Sequence, residues 1–208
     1  MTKQSGQIMD ERTVKVNRIK LLAVFAVALV PLFLAVLMYF GGWAVPTGKT
    51  NKGNLLWPPV PLMEVQPDLK TDDKPIETKW LLMLSGGTHC DQVCTDLLHT
   101  MRQVNVAMGR ELDRVDRLII SAVDQESLAE IQKEYPKLGA MHFSEERIRA
   151  LQKEAQKNGA NLSSDSAVIW TVWLVDPIGN VILQYTQEHD GYDMIHDLKK
   201  LLKLSNIG

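Results

Sequence analysis

Residues 21–40 form one uninterrupted apolar run, LLAVFAVALVPLFLAVLMYF, of twenty residues without a charge. A helix of that length is what a hydrocarbon core about 30 Å thick requires of a membrane-spanning segment. Pro31 lies inside the run, and such prolines are tolerated in membrane helices. A cleavable signal peptide is the alternative, but its apolar region usually has about 7–15 residues, and no small-x-small cleavage site follows here. We therefore expect an uncleaved transmembrane anchor.

Basic residues lie mainly before this run, which predicts the orientation of the anchor. Lys3, Arg12, Lys15, Arg18 and Lys20 precede it, and Lys49 and Lys52 follow it. By the positive-inside rule, residues 1–20 stay in the cytoplasm and the rest of the chain lies outside. In a bacterium this predicts a single-pass inner-membrane protein whose C-terminal domain is periplasmic, in a compartment where disulfides form.

Length and charge limit the remaining possibilities. The 208 residues allow one ordinary domain beside the anchor. The formal net charge is −2, and residues 1–20, with five basic and two acidic groups, carry +3, so the remainder carries −5. An acidic domain does not attract phosphate backbones, and we expect no nucleic acid among the partners.

Residues 41–79 are rich in Gly, Pro, Asn, Lys and Asp and show neither helical nor strand periodicity. We predict a periplasmic linker over this range. Four apolar residues within it are expected to dock the linker on the following domain: Leu55, Leu56, Trp57 and Val60.

From residue 80 onward, short apolar runs alternate with amphipathic stretches. The sequence predicts buried strands at 80–84 and 117–123, helices from the cysteines to Gly109, over 127–136 and over 145–158, and a hairpin of 167–175 with 181–185. A last amphipathic helix closes the chain. This order predicts an α/β, thioredoxin-like fold over residues 80–208, a central mixed sheet flanked by helices, with the helix at 145–158 as an insertion.

Two cysteines, Cys90 and Cys94, follow the first strand of this domain after the loop SGGTH. Thr88 and Asp91 resemble a capping box, which predicts that the helix begins at His89 or Cys90. The positive end of a helix lowers the pKa of a nearby thiol, so Cys90 is expected to be the more reactive sulfur. A separation of four allows a disulfide or a shared soft metal ion. A purely structural bridge is the alternative.

The loop GTHCDQVC resembles the Cys-x-x-x-Cys loop of the Sco-type copper chaperones, anchored thioredoxin-like proteins that assist cytochrome oxidase assembly. The chain also resembles small bacterial inner-membrane proteins associated with cytochrome c oxidase genes. The segments that carry this likeness are TNKGNLLWPP, CDQVC with LLHTMRQVNVAMG, WLVDPIGNVILQY and DLKKLLKLSNIG. The resemblance implies copper as a cofactor and a cytochrome c oxidase subunit, or its assembly factors, as partner.

Sco-type chaperones complete their metal site with a histidine whose place falls near Val168, where SSDSAV contains none. Two thiolates can still hold Cu(I), which accepts few, soft ligands. We predict Cys90 and Cys94 as the catalytic residues and Cys90, Cys94 and His89 as metal ligands. Of the other histidines, His99 is predicted to be a surface or packed residue and His142 an interior one. His189 and His196 are predicted to face solvent, in a loop and on a helix.

These observations predict a membrane-anchored assembly factor for cytochrome c oxidase. Its cysteine pair would act as a Cu(I) site, as a dithiol reductant of copper-site cysteines, or as both. A general periplasmic thiol-disulfide oxidoreductase is an alternative, although such enzymes usually carry Cys-x-x-Cys and a cis-proline opposite it. A non-catalytic thioredoxin-like interaction module is the third possibility.

Overall fold

The computed structural model describes residues 11–41, 50–65, 79–162 and 168–205, without the side chains of 11–13. The chain divides into two compact units, residues 1–49 and 50–208, which are treated separately below. Residues 1–10 of the predicted cytoplasmic segment and much of the predicted linker lie outside the described ranges.

The first unit contains one long helix, α1 (Glu11–Gly41). Its portion Val14–Gly41 is long and apolar enough to cross a membrane, and none of its most apolar window is buried by the protein. The helix starts ten residues before the apolar run, so it includes Lys15, Arg18 and Lys20. Pro31 lies inside it. The prediction of one N-terminal apolar helix is confirmed.

A mixed sheet of six strands forms the centre of the second unit. The strands are β1 (Asn54–Pro61), β2 (Trp80–Gly86), β3 (Val115–Ser121), β4 (Leu138–His142), β5 (Thr171–Val175) and β6 (Asn180–Tyr185). They lie in the order β1-β6-β5-β2-β3-β4. β2, β3 and β4 run parallel, whereas β5 is antiparallel to β2, β6 to β5, and β1 to β6.

Helices cover both faces of this sheet. On one face pack α3 (Gln92–Ala107), α4 (Gln125–Glu134) and α6 (Gly191–Leu204), and on the other α2 (Leu62–Val65) and α5 (Glu145–Lys157). The predicted central mixed sheet with flanking helices is therefore confirmed, including the helix at 145–157 and the hairpin of β5 and β6. Gly179, at φ 88°, supplies the turn of that hairpin, as its sequence predicts.

β2 occupies the middle of the sheet because all of its residues are apolar or small. Every residue of the strand is buried. A strand covered on both faces needs such a continuous run. Its one buried hydroxyl, Ser85 Oγ, accepts a hydrogen bond of 2.7 Å from Trp173 Nε1 on β5. The pairing satisfies both polar atoms inside the core.

The prediction of an irregular linker over 41–79 is wrong for its middle part. Residues 54–61 form edge strand β1, which pairs with β6, and α2 follows directly. Leu56 and Val60 are fully buried, as the predicted docking requires, but Leu55 is 41% and Trp57 77% exposed. The prolines are compatible with β1 because an edge strand leaves one row of N–H groups unused.

A second strand, β4, was also not predicted, and one histidine lies elsewhere than predicted. β4 is only five residues long and extends the sheet beyond β3. His142, expected in the interior, is the last residue of this strand and is exposed. Its Nδ1 lies 2.8 Å from the carbonyl oxygen of Val123. The short, half-buried stretch gave too few apolar residues to indicate a strand.

A buried carboxylate fastens the start of the second unit to its last helix. Asp197, on α6, is 2% exposed. Its Oδ2 accepts from the backbone N–H groups of Lys52 and Gly53, each at 2.9 Å, and from the Tyr185 hydroxyl at 3.1 Å. Burial, and then the Asp197 carboxylate, raise the pKa of Tyr185 far above its usual range, so this hydroxyl remains a donor. These hydrogen bonds thus hold the backbone at Lys52 and Gly53 to α6.

Replacement of Asp197 by Ala should destabilise the second unit more than any surface change. The buried Gly53 N–H and Tyr185 hydroxyl lose their acceptor, which we expect to cost about 2–4 kcal/mol of unfolding free energy. Urea denaturation of residues 50–208, followed by tryptophan fluorescence, measures the loss. Asp96→Ala on the exposed face of α3 is the matched control, and equal stability of the two variants would contradict this account.

Candidate functional site

The candidate site begins where β2 leaves the sheet. Gly86, the last residue of the strand, lies directly against the ring of Trp170, and a Cβ at this position would overlap the ring. Trp170 itself is 9% exposed and precedes β5. Close contact between backbone and indole therefore fixes the point from which the cysteine loop starts.

Helix α3 begins later than the sequence analysis predicts. Its N-cap is Asp91, whose side-chain oxygen accepts a 3.0 Å hydrogen bond from the backbone N–H of Cys94. Thr88 does not cap the helix; its Oγ1 lies 3.0 Å from Nδ1 of His89. The predicted Thr88–Asp91 capping box, with a start at His89 or Cys90, is wrong. Cys90 consequently lies in the loop, and Cys94 in the first helical turn.

The two cysteines form a disulfide, with their Cα atoms 5.1 Å apart. Cys90 is half-buried, whereas Cys94 is fully buried in the apolar cluster beneath α3. The two sulfurs therefore differ in access, which the sequence did not reveal. An approaching partner can reach only Cys90.

An open cavity of about 740 Å³ lies beside the cysteine loop. Its wall includes Thr88, His89 and Asp91 from the loop, Glu145 from the start of α5, and Glu188 from the segment after β6. Neither cysteine lines this cavity, but His89 and Asp91, the neighbours of Cys90 in the chain, do.

Val168 marks the place where the Sco resemblance leads one to expect a histidine. This residue lines the same cavity as the cysteine loop, and its carbonyl oxygen would lie 3.6 Å from a Cβ at Gly87. The position deduced from the sequence is thus beside the cysteines. A valine side chain offers no ligand atom, and residues 163–167 lie outside the described ranges.

His89 is the one histidine that the structure places at the cysteines. It is exposed and lines the cavity. Within the parts of the chain that the structure describes, no three His, Cys, Asp or Glu side chains form a metal-ligating group. The cysteines are oxidised here, so the set Cys90, Cys94 and His89 stays a prediction.

The remaining histidines lie elsewhere, as predicted. Exposed His99 lies 2.7 Å from Gln103 Nε2, while half-buried His189 accepts from the N–H of Thr186 at 3.1 Å. His196 is exposed beside Asp197. None of them lines the cavity at the cysteines.

Asp91 is the site residue whose role the sequence analysis missed. Aspartate is itself a preferred N-cap, so its position directly before the helical stripe was the available signal. Its carboxylate also lies between the two cysteines in the sequence, at the positive end of α3. The positive end of α3 stabilises a Cys90 thiolate, and the negative charge of Asp91 counteracts this stabilisation because like charges repel.

Substitutions of Asp91 should separate its two effects. Asp91→Ala loses the cap and should lower the unfolding free energy by about 0.5–2 kcal/mol, whereas Asp91→Asn keeps a capping oxygen and should cost little. In the reduced protein, Asp91→Asn should also speed the alkylation of Cys90 near neutral pH, since the thiolate loses a repelling charge. Urea denaturation and timed iodoacetamide labelling test the two effects; an unchanged labelling rate would remove the electrostatic role.

Several solved structures are similar to this chain. ScoI of Arabidopsis thaliana with copper bound is 22% identical, covering 62% of this chain and 88% of its own, with a TM-score of 0.49. A SCO1/SenC family lipoprotein of Bacillus anthracis is 20% identical over 71% and 99%, with a TM-score of 0.49. A thioredoxin family thiol:disulfide interchange protein of Chlorobium tepidum is 18% identical over 61% and 82%, with a TM-score of 0.45. No curated protein matches the sequence.

Two family models match the sequence directly. The model of the transmembrane-like N-terminal domain covers residues 11–42, which include α1. The model of the transmembrane-like, thioredoxin-like C-terminal domain covers residues 80–205, more than half of the chain. The predicted thioredoxin-like fold is thereby confirmed, and the chain belongs to the transmembrane-like, thioredoxin-like protein family.

Proposed function

We propose that this protein is a membrane-anchored, Sco-like assembly factor for cytochrome c oxidase that acts through Cys90 and Cys94. The observation that carries the proposal is the unequal access of the two cysteines: Cys90 is half-buried and lies between His89 and Asp91, which line an open cavity, whereas Cys94 is fully buried. A bridge needed only for stability gains nothing from such a cavity. The choice of oxidase as target comes from the sequence resemblance alone.

The arrangement suits thiol-disulfide exchange. Once an external dithiol has reduced the pair, the Cys90 thiolate attacks one sulfur of a disulfide in the partner, forms a mixed disulfide, and displaces the partner's other sulfur, which takes a proton from water. Cys94 then attacks the Cys90 sulfur, and the Cys94 proton passes to the departing partner sulfur. This restores the Cys90–Cys94 disulfide and releases the second partner thiol. Two electrons pass to the partner, whose copper-site cysteines become reduced.

The same two sulfurs fit copper(I) as cargo. Soft thiolates select Cu(I), and a pair of them suffices for an ion that accepts low coordination. The reduced site would place the Cys94 sulfur in apolar surroundings and the Cys90 sulfur in the loop before α3. Cu(II) would also require an imidazole ligand. Val168 offers none at the place where the resemblance implies a histidine. In this proposal His89 supplies the third ligand from the loop.

The location in the proposal follows from α1 and its flanking charges. The helix anchors the chain in the bacterial inner membrane, with the basic N-terminal segment in the cytoplasm and residues 50–208 in the periplasm. Cysteine exchange and delivery of copper to an oxidase both require that side of the membrane. The partner is an oxidase subunit or another of its assembly factors.

A general periplasmic thiol-disulfide oxidoreductase is the second candidate, and the Cys90–Cys94 disulfide itself favours it. The Cys-x-x-x-Cys spacing distinguishes this site from the Cys-x-x-Cys of such enzymes. An interaction module with a purely structural bridge is the third candidate, and the experiments below exclude or establish it.

Alkylation of the reduced protein should be strongly asymmetric. We expect iodoacetamide to modify Cys90 at least about ten times faster than Cys94, because reactivity requires access and Cys94 is 0% exposed. Peptide mass spectrometry of a time course measures both rates, and labelling in urea is the control in which the difference should vanish. Equal rates in the folded protein would contradict the assigned order of attack.

Copper(I) binding tests the metal half of the proposal. The reduced protein should retain one copper per chain against a chelator of known affinity, and the double variant Cys90→Ser/Cys94→Ser should retain none. His89→Ala should bind measurably more weakly yet exchange disulfides at the wild-type rate. His99→Ala is the matched control and should change neither property.

The outcomes separate the candidates. Loss of copper retention with disulfide exchange intact would leave the oxidoreductase. Cells that carry only the double cysteine variant should yield oxidase with less copper than the wild type. If oxidase copper content were undiminished, the interaction module would replace the proposed function.

A further inference from the structure

Arg117 is a buried cation at some distance from the cysteines. It is the third residue of β3 and is 7% exposed. Because strand residues alternate, its side chain shares the face of Val115 and Ile119, which pack under α3 and α4. Its Nη1 atom is buried and makes no hydrogen bond within the described chain. A buried, charged donor without a partner is costly.

A neighbouring cation adds to the cost of burying the charged Arg117 guanidinium. Burial first, and then the neighbouring Arg102 cation, lower the pKa of the Arg117 guanidinium. The adjacent carboxylate does not compensate: Asp116 points to the opposite face of β3 and pairs with Lys79 at 3.2 Å. In the described residues, therefore, no carboxylate forms an ion pair with Arg117.

Two cavities adjoin Arg117. The smaller is about 70 Å³ and the larger about 560 Å³. Arg117, Asp116 and Lys137 line both, and Asp113 also lines the smaller. The smaller cavity alone exceeds several-fold the roughly 10–15 Å³ that one water molecule needs, so a small polyatomic ion fits. Exposed Lys137 adds a mobile second cation at the rim.

We propose that Arg117, with Lys137, forms a binding site for a phosphate-class oxyanion between α3, α4 and the start of β4, and that the charge of the nearby Arg102 strengthens it. The planar guanidinium presents paired donors that match two oxygens of such an anion, and lysine adds a point charge. The anion removes the repulsion between Arg117 and Arg102 and satisfies the unpaired Nη1.

The oxyanion site is distinct from the cysteine site. Arg117 pairs with Leu82 near the start of β2, whereas the cysteine loop follows Gly86 at the far end of that strand. Four residues of strand separate the two levels by about 13 Å. Anion binding therefore neither requires nor blocks the proposed thiol chemistry, and either can fail without the other.

Thermal unfolding of the full chain in a neutral detergent tests the site. At a phosphate concentration about ten times Kd, the Tm should rise by roughly 3–6 °C relative to chloride at equal ionic strength. Arg117→Met should abolish the rise, and Lys137→Met, an exposed change, should weaken phosphate binding several-fold. Lys153→Met, which removes an exposed charge from α5 on the other face, should keep the full rise.

A direct measurement of phosphate binding tests the proposal even if Arg117→Met does not fold. The ³¹P resonance of inorganic phosphate should broaden with wild-type protein and broaden less with Lys137→Met. An unchanged Tm and no broadening with wild-type protein would overturn the proposal, as would a rise that survives in Arg117→Met. Counter-ions supplied by the chain's own Asp68, Asp72, Asp73 or Glu77 would produce that negative result.

The source of the phosphate group is distinguished in vesicles. The full chain is compared in phosphatidylcholine with and without phosphatidylglycerol. A rise of the Tm with phosphatidylglycerol that inorganic phosphate does not increase would identify a lipid headgroup at the site. A rise that only inorganic phosphate produces would identify the free anion. Both results require Arg117 and support the proposed site.

Discussion

The contact between the end of β2 and Trp170 determines where the chemistry of this protein can occur. β2 is buried along its whole length, so at its carboxyl end the chain reaches solvent only beyond Gly86. An indole ring lies directly on that glycine, and the Ser85–Trp173 hydrogen bond anchors the preceding residue on the other face of the strand. The cysteine loop therefore begins from a fixed position at Gly86. The disulfide, the cap of α3 and the cavity all depend on it.

The two cysteines of the disulfide differ in burial because of where α3 begins. Because Asp91 caps α3, the helix begins between the cysteines, and only Cys94 enters the packed first turn. Cys90 remains in the loop beside the cavity. Had the helix begun at His89, both sulfurs would have shared one helical face. The displaced start gives an attacking and a resolving position, which exchange chemistry needs and a simple bridge does not.

Periodicity and composition predicted the parts of this structure that local sequence controls. These are the apolar helix, buried β2, the hairpin of β5 and β6, and helices α3 to α6. The start of α3 was misassigned although Asp91 gave a local signal, and the other errors arose mainly where residues distant in the chain determine the structure. Pro58 and Pro59 resemble linker residues, yet they fit β1 because β6 pairs with only one of its edges. The cysteine pair and its neighbour His89 were predictable from position, but the burial of Cys94 depends on packing under the whole helix.

Two buried charges show what the sequence could not indicate and the fold makes visible. Asp197 and Arg117 are both charged residues in amphipathic or strand segments, with nothing local to mark them as buried. The chain itself supplies hydrogen-bond donors to the Asp197 carboxylate. These are two backbone N–H groups, 144 and 145 residues away in the sequence, and the Tyr185 hydroxyl. Among the described residues, Arg117 has a second cation, Arg102, as its neighbour and no carboxylate partner. This contrast with Asp197 is what makes the surroundings of Arg117 a place for an anionic ligand.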